Sequence, residues 1–356
     1  MAWQGIEGHD QVVEQFRRSL SRGRLASSFL FVGPAGIGKR TFALKLTQAL
    51  LCERSAEADL DPCGKCPSCL QVVSGNHPDV DVVSKPPDRT FLPIELFIGA
   101  KERRMREGLC HNLGLKPSQG SRRIAIIDDA DWFNVEGANC LLKTLEEPPR
   151  RSLLILIGTS VEKQLPTIRS RCQLVRFSPL SPEVTARLLL ERQLVADAES
   201  AARLASLAGG SLAQAEELAD PAIMAFRDDL LTQLAKVRWD SVALAREVNQ
   251  FVEQAGKEAP PRRARVRLTM EFAGEFYRAV ARSLSGMQAT GDPTLTVAAN
   301  RAAQQWPGTP ESAAACFDRC QEARREIDRM GMPNLVVDCW ADELCRLPQA
   351  GYLAGK

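Results

Sequence analysis

The stretch Gly33-Pro34-Ala35-Gly36-Ile37-Gly38-Lys39-Arg40 decides the fold of this 356-residue chain. The apolar run Ser28–Val32 precedes it, and Thr41–Leu51 after it carries apolar side chains at helical spacing. A strand, a glycine-rich loop and a helix in this order are typical of a phosphate-binding loop, whose backbone N–H groups point at a phosphate. A simple glycine-rich turn is the plainer alternative, and two further elements along the chain argue against it.

The candidate loop departs from a working one at the residue after its lysine. The glycines and the lysine of the pattern are present: Gly33, Gly36, Gly38 and Lys39. The next position should supply a hydroxyl to Mg²⁺, and here it is Arg40. Thr41 is one residue farther along the helix, which rotates it by about 100° from the required direction. The sequence therefore leaves phosphate or ATP binding open and disfavours Mg²⁺ coordination on this chain.

Composition excludes several classes of protein. Lys plus Arg number 46 against 44 acidic residues, and this net charge of +2 argues against a dedicated nucleic-acid coat. No run of roughly eighteen apolar residues is present, so we expect no membrane span. The N-terminal residues lack the basic and apolar regions of a signal peptide. With 11 cysteines and no export signal, we expect a reduced, cytoplasmic setting and metal binding rather than disulfides.

The chain changes character near residue 178. Before it, apolar strand-like runs alternate with amphipathic segments, which indicates a parallel sheet covered by helices. The predicted strands are Ser28–Val32, Val80–Val83, Ile124–Ile127, Leu153–Ile157 and Leu174–Phe177. The predicted helices between them are Thr41–Leu51, Pro93–Leu109 and Val135–Leu145. Beyond residue 178, helical patterns rich in Ala, Leu, Glu and Arg replace the strand-like runs.

These patterns predict three domains. Their bounds are 1–178, 179–220 and 221–356. The first is α/β and carries a cysteine-rich insertion at about 52–69. Gly209-Gly210-Ser211 breaks the helical region that follows into a small second unit and a larger third one. The third is all-α and contains the most basic run, Arg262–Arg267. That run is most simply a solvated helix start or loop, and a nucleic-acid contact is the minority alternative.

Three thiols, Cys63, Cys66 and Cys69, lie at C-x-x-C-x-x-C spacing. Cys52, at the end of the helix after the glycine loop, offers a fourth. Four thiolates suit a tetrahedral structural Zn²⁺ with no position open for catalysis. An iron–sulfur cluster would more typically show a nearby fourth cysteine, and position 73 is Val73. Buried unligated thiols are the other alternative, but Gly, Lys, Pro and Ser surround these cysteines, so the pattern predicts structural zinc.

The predicted strand Ile124–Ile127 ends in two carboxylates, Asp128 and Asp129. An acid at the end of such a strand holds the Mg²⁺ beside a phosphate loop, and Asp128 fits this role. The next position usually carries a glutamate that polarises the attacking water, and Asp129 is one methylene shorter. Because displacing a catalytic base by about 1 Å can cost roughly 10²-fold in rate, we expect poor hydrolysis.

Further segments complete a resemblance to a known family. They are Asn76-His77-Pro78-Asp79, Leu141-Leu142-Lys143-Thr144-Leu145-Glu146-Glu147-Pro148-Pro149 and Ser170-Arg171-Cys172. With the glycine loop and the cysteine insertion, they resemble the AAA+ clamp-loader subunits of bacterial DNA polymerase III holoenzyme, and within them the delta-prime type. The match covers about residues 4–220 well, whereas the C-terminal third matches only in its helical character and final helix. The resemblance implies an AAA+ P-loop domain, a small helical lid and an all-α collar domain.

The resemblance also implies roles for particular residues. Arg171 matches an arginine that reaches across an interface to the γ-phosphate of ATP on a neighbouring subunit, and a surface ion pair is the alternative. Thr159 or Ser160 falls where the first sensor lies. Gln214 stands where the family often has a second-sensor arginine, so one γ-phosphate contact is absent.

Arg40, Asp129 and Gln214 each remove part of what hydrolysis needs: a metal ligand, water activation or charge neutralisation. The resemblance then implies a non-hydrolysing stator that supplies Arg171 to a neighbouring ATPase while the sliding clamp is loaded onto primed DNA. Its partners would be gamma/tau-like motor subunits and a delta-like subunit, with clamp and primer–template reached through the complex. An active motor subunit is the first alternative. A nucleic-acid-binding protein in its own right is the second, and the near-neutral charge disfavours it.

Overall fold

The structure is a computed structural model that describes residues 3–236, 238, 240–288 and 291–353. The strands are β1 Ser28–Val32, β2 Val80–Val83, β3 Arg123–Ile127, β4 Ser152–Gly158 and β5 Gln173–Arg176. The helices up to the last strand are α1 Asp10–Ser21, α2 Lys39–Leu50, α3 Pro67–Ser74, α4 Glu95–Ile98, α5 Leu109–Gly114, α6 Val135–Glu146 and α7 Pro166–Arg169.

The remaining described elements are all helices. They are α8 Pro182–Glu191, α9 Ala198–Leu207, α10 Leu212–Leu218, α11 Pro221–Leu234, α12 Ser241–Glu253, α13 Ala259–Leu284, α14 Pro293–Gln304, α15 Pro310–Asp328 and α16 Pro333–Leu353. In the part of the chain that the structure describes, no helix is both long and apolar enough to cross a bilayer.

The five strands form one parallel sheet in the order β2-β3-β4-β1-β5. The central strand β4 lies between β1 and β3, so that Ile155 is opposite both Phe29 and Ile126. Parallel strands need crossover connections, and helices supply them here. The predicted parallel sheet of a P-loop domain is therefore confirmed, with strand ends within one residue of those predicted.

Both faces of the sheet carry apolar side chains, which explains why a layer of helices covers each face. Along β1, Phe29 and Phe31 enter a core with α1 and α2, and Leu30 and Val32 enter a second core with α4, α5 and α6. Every residue of β4 is buried. Continuous burial of this kind is typical of parallel strands between two helical layers.

The predicted helix Pro93–Leu109 is wrong, because two glycines interrupt it. The helix stops at Ile98, and Gly99 and Gly108 have φ values of +81° and +92°. A Cβ on Gly108 would lie 2.6 Å from the backbone nitrogen of Gly99, so the two segments touch where only glycine fits. Residues 99–108 therefore form a closed loop between α4 and α5.

The described residues divide into two compact units. One contains the residues up to 193 together with 208–215, and the other contains 194–207 together with the residues from 216 onward. The segment predicted as a helical lid contributes residues to both units. The three-domain division remains a prediction.

The basic run Arg262–Arg267 lies near the start of α13, as one of the two predicted alternatives, a helix start or a loop, required. The Arg265 guanidinium is 3.4 Å from Asp220 and packs 4.4 Å from the centroid of the Phe251 ring. Arg267 donates to Asp328 at 2.6 Å. Arg265 and Arg267 thus tie α13 to neighbouring elements, so these two side chains are not simply solvated as expected.

Candidate functional site

The predicted nucleotide residues gather at the carboxyl ends of three adjacent strands. The glycine loop follows β1, Thr159 follows β4 and Asp128 follows β3. Because β4 lies between β1 and β3, Thr159 comes between the loop and Asp128. Ligands of open parallel sheets bind outside this edge, so the predicted residues gather where a ligand of this sheet would lie.

Lys39 is the first residue of α2 and is buried against its own loop. Its Nζ donates to the carbonyls of Gly33 at 2.7 Å and of Pro34 at 2.5 Å. Burial lowers the pKa of Lys39, and the charges of Asp128 and Asp131 partly offset this effect. The ammonium group must break these hydrogen bonds to the carbonyls before it can bind a phosphate.

The turn before α10 covers the glycine loop. Gly36 has a φ of +75°, and a Cβ there would lie 2.2 Å from Ser211 Oγ. The carbonyl of Gly36 accepts a hydrogen bond from Ala213 N–H at 3.2 Å. Gln214, the residue at the predicted second-sensor position, follows directly and donates its N–H to Ser211 Oγ. The structure therefore brings residue 214 to the loop, although its side chain is a neutral amide.

Arg40 lies beside the carboxylate that would coordinate the metal ion. Its Nε is 3.6 Å from Asp128 Oδ2, and the two side chains are 57% and 22% exposed. Burial, followed by the charge of Asp129, raises the pKa of Asp128, whereas Arg40 and Lys39 lower it. Thr41 is exposed in the first turn of α2. A guanidinium cation therefore stands where a working site has a hydroxyl and Mg²⁺.

Asp129, the predicted counterpart of the water-polarising residue, is engaged elsewhere. It has a left-handed backbone with φ of +60°. Its Oδ2 accepts a hydrogen bond from the backbone N–H of Lys85 at 3.2 Å. The carboxylate therefore holds the segment that follows β2.

Asp131 organises the end of β4, and sequence reasoning missed it. The backbone N–H of Thr159 is 3.0 Å from each Asp131 carboxylate oxygen, and the Thr159 hydroxyl also donates to Asp131. Gln164 Nε2 donates to the same carboxylate at 2.5 Å. Ser160 Oγ instead accepts the N–H of Lys163 at 3.4 Å. The only signal in the sequence was a third aspartate close behind Asp128 and Asp129.

Arg171 lies between α7 and β5, at the amino edge of the sheet. This edge is opposite to the one that carries the glycine loop, so Arg171 does not serve that loop in its own chain. Its side chain is 33% exposed, and its guanidinium is 2.5 Å from Glu146 Oε1 and 3.0 Å from the Thr167 carbonyl. In the isolated chain, Arg171 is therefore part of a surface ion pair.

The four predicted metal-binding cysteines come together. The Sγ atoms of Cys52, Cys63, Cys66 and Cys69 all lie within 4.8 Å of one another, and those of Cys63 and Cys69 are 4.0 Å apart. Tetrahedral coordination at about 2.3 Å places sulfur atoms roughly 3.8 Å from one another. The four cysteines thus fit one tetrahedral metal ion.

Backbone N–H groups favour the thiolate forms of two of these cysteines. Cys63 Sγ accepts from the N–H groups of Lys65 at 3.5 Å and Cys66 at 3.3 Å, and the first of these contacts does most to lower the pKa of Cys63. Burial acts to raise the pKa of Cys52, but N–H donation, led by Cys63, lowers it to about 6. Thiolates are the form that binds metal.

The segment Asn76-His77-Pro78-Asp79 joins the cysteine insertion to the sheet. His77 Nδ1 accepts the N–H of Asp79 at 3.1 Å, and its Nε2 is 2.9 Å from Ser68 Oγ on α3. The buried Asp79 carboxylate accepts three backbone N–H groups from residues 118–120 at 2.6–2.8 Å. Burial acts to raise the pKa of Asp79, but these donors lower it overall. This part of the resemblance therefore has a structural role.

Comparison with known proteins agrees with this geometry. The family described as "DNA polymerase III, delta subunit" matches residues 8–181. Over this part of the chain the sequence is similar to the delta' subunits of DNA polymerase III. It is 31% identical over 219 residues to DNA polymerase III subunit delta' of Bacillus subtilis (strain 168), covering 61% of each chain. It is 33% identical over 223 residues to the Pseudomonas aeruginosa delta' subunit, covering 62% of this chain and 64% of that one.

The delta' match spans less than two thirds of either relative's length. Another type of subunit also matches. DNA polymerase III subunit gamma/tau of Mycobacterium tuberculosis (strain ATCC 25618 / H37Rv) is 34% identical over 188 residues, which are 52% of this chain and 30% of that one. Among solved structures, a gamma subunit-related protein from Thermotoga maritima covers 94% of this chain at 14% identity, with a TM-score of 0.42.

Proposed function

We propose that this chain is a non-hydrolysing, delta'-like subunit of a DNA polymerase III clamp loader. It acts as a stator and supplies Arg171 to an ATPase site on a neighbouring subunit. The observation that carries the claim of no ATP hydrolysis is the Arg40–Asp128 ion pair, with 3.6 Å between Nε and Oδ2. Arg171 lies at the edge of the sheet opposite the glycine loop, which supports the claim that it serves a site on a neighbouring subunit.

The Arg40–Asp128 pair opposes hydrolysis for a simple electrostatic reason. Mg²⁺ requires oxygen ligands in an octahedral arrangement, and it links the protein to the β- and γ-phosphates. Arg40 removes the hydroxyl ligand, and its positive charge repels a second cation beside Asp128. The neighbouring carboxylate of Asp129 is bonded to the Lys85 N–H and is poorly placed to activate water. Phosphate binding by Lys39 and the loop amides stays possible without Mg²⁺.

The family relationship supports the proposed partners. These are gamma/tau-like motor subunits and a delta-like subunit, with the sliding clamp and primer–template DNA engaged by the whole complex in the cytoplasm. The chain would thereby be part of a polymerase holoenzyme without an ATPase of its own. A motor subunit is the second candidate, because gamma/tau relatives reach 34% identity.

We predict that the isolated chain hydrolyses ATP negligibly, at least about 10²-fold more slowly than a motor subunit assayed in parallel. Steady-state phosphate release measures this. Arg40→Thr alone should not restore turnover, because Asp129 and Gln214 remain. Turnover at the motor rate that Lys39→Ala abolishes would instead establish the motor alternative.

We also propose that the metal held by the four cysteines is one structural Zn²⁺. Four thiolates leave no open coordination position, and bound Zn²⁺ stabilises the fold that brings its ligands together. The predicted result is one equivalent of zinc and no iron by elemental analysis of the purified chain. Cys66→Ser should lose the metal and loosen the insertion, whereas Cys339→Ser, which changes an exposed cysteine outside the cluster, should keep it. Well under one equivalent of zinc in the wild-type chain would contradict this assignment.

A further inference from the structure

The guanidinium of Arg171 is held by three acceptors of its own chain, and one of them is charged. NH1 donates to the Thr167 carbonyl at 3.0 Å and to Ser170 Oγ at 3.2 Å, and both acceptors belong to the same turn as Arg171. NH2 donates to Glu146 Oε1 at 2.5 Å, and this carboxylate comes from a different helix. Among the described residues, Glu146 is the one carboxylate within 4.0 Å of the guanidinium.

The fold of this chain alone brings the two side chains together. Glu146 is the last residue of α6, and Leu145 before it is buried in one of the two apolar cores of the sheet. Ile168, three residues before Arg171, is buried in the same core. Because a neighbour of each charged residue is anchored in one core, Glu146 and Arg171 meet without another subunit.

The position of Glu146 is unfavourable for α6 itself. The last turn of a helix lies at the negative end of the helix dipole, so a carboxylate there destabilises the helix. Glu146 nevertheless ends α6, and Glu147 follows it as the cap residue. The guanidinium of Arg171 supplies the positive charge that stabilises Glu146 at this place.

We propose that Glu146 competes with the γ-phosphate of the neighbouring subunit's ATP for Arg171, and so lowers the ATPase rate of that site. A carboxylate occupies the same N–H groups of a guanidinium that a phosphate uses. Pairing with Glu146 therefore reduces the fraction of the finger that is free to reach the phosphate. This inference rests on the proposed function, because it needs Arg171 to be a finger, and it adds a regulatory role for Glu146.

The exposure of the pair sets the expected size of the effect. The side chains of Arg171 and Glu146 are 33% and 51% exposed, and an ion pair at such positions shifts an equilibrium by up to about fivefold. The competition should lower the rate most where the finger's contact with the phosphate is weakest. The complex without DNA or clamp is therefore the state in which to measure it.

The test is Glu146→Gln in the reconstituted complex, because glutamine keeps the size of the side chain and an acceptor oxygen but not the charge. Steady-state phosphate release without DNA or clamp should rise by up to about fivefold. Assembly, followed by co-purification, and thermal unfolding should not change. The matched control Glu147→Gln removes the same charge from the next, exposed residue and should leave the rate at the wild-type value. The double variant Arg171→Ala/Glu146→Gln should match Arg171→Ala, since Glu146 acts only through the guanidinium.

Three results would overturn the proposal: an unchanged rate in Glu146→Gln, a lower rate, or an equal rise when Arg171 is alanine. A lower rate would mean that Glu146 positions the finger instead of competing for it. Failure of the proposed function gives a different pattern. If Arg171→Ala alone leaves the ATPase of the complex unchanged, Arg171 is not a finger and both proposals fail. If Arg171→Ala lowers the rate and Glu146→Gln does not raise it, only the role of Glu146 fails.

Discussion

Replacing Arg171 with alanine is expected to leave the chain folded and able to assemble, but to reduce the DNA- and clamp-stimulated ATPase of the reconstituted complex. Clamp loading should fall with it. A guanidinium is planar, permanently charged and able to donate two hydrogen bonds to phosphate oxygens. At a subunit boundary it stabilises the charge that develops on the γ-phosphate of the neighbouring ATP.

The ion pair with Glu146 does not prevent Arg171 from acting as a finger, because the pair is much weaker than the effect of a finger on the transition state. An arginine finger contributes about 10³–10⁵ in rate, which is roughly 4–7 kcal/mol. Arg171 and Glu146 are 33% and 51% exposed, and ion pairs at such positions contribute about 0–1 kcal/mol. The guanidinium can therefore leave Glu146 for a phosphate at small cost. In a complex with several ATPase sites, Arg171→Ala affects only one interface, so the total ATPase rate will fall by less than the rate at that one site.

Two matched variants sharpen the Arg171 experiment. Arg171→Lys keeps the charge but loses the planar fork, so it should rescue poorly. Arg169→Ala removes an exposed arginine two positions away and should leave ATPase and loading near wild type. Assembly is followed by co-purification, and folding by thermal unfolding. If Arg171→Ala assembles and loads clamps at the wild-type rate, Arg171 is not a finger and the central functional proposal fails.

The strands were predictable because buried parallel strands have an unambiguous sequence pattern. The clearest are β1 and β4, which are short apolar runs buried on both faces. The edge strands β2 and β5 include polar residues and are only partly buried. The failure at residues 93–109 has an equally local cause. Helical spacing of apolar residues continues across Gly99 and Gly108, but their close approach is a tertiary contact that spacing does not reveal.

The residues of the candidate nucleotide site could be predicted from the sequence, but the contacts between their side chains could not. Asp128 and the glycine loop could be recognised from the strands that precede them. The Arg40–Asp128 contact depends on β4 lying between β1 and β3, which the sequence does not state. The role of Asp131 likewise depends on a tertiary contact, because the N–H of Thr159 at the end of β4 donates to its carboxylate.

The helical unit contains a buried ion pair that predicts the largest effect on stability. Arg227 and Asp292 have side chains only 2% and 3% exposed, and Arg227 lies 5.7 Å from the centroid of the Phe272 ring. Asp292 also caps α14, because its Oδ1 accepts the N–H of Thr294 at 3.1 Å. Removing Asp292 leaves the buried Arg227 charge with only the half-exposed carboxylate of Asp228, 3.3 Å away.

Asp292→Ala is therefore expected to destabilise the helical unit by about 3–5 kcal/mol, or roughly 10²–10⁴ in its unfolding equilibrium. Urea unfolding followed by tryptophan fluorescence measures this, since Trp306 and Trp340 lie in that unit. Asp292→Asn keeps a capping oxygen but not the charge, so it should recover only the smaller contribution of the cap. Asp328→Ala breaks the half-exposed pair with Arg267, whose side chains are 34% and 39% exposed, and should cost less than about 1 kcal/mol. Equal, small losses in the Asp292 and Asp328 variants would show that burial does not decide the strength of these pairs.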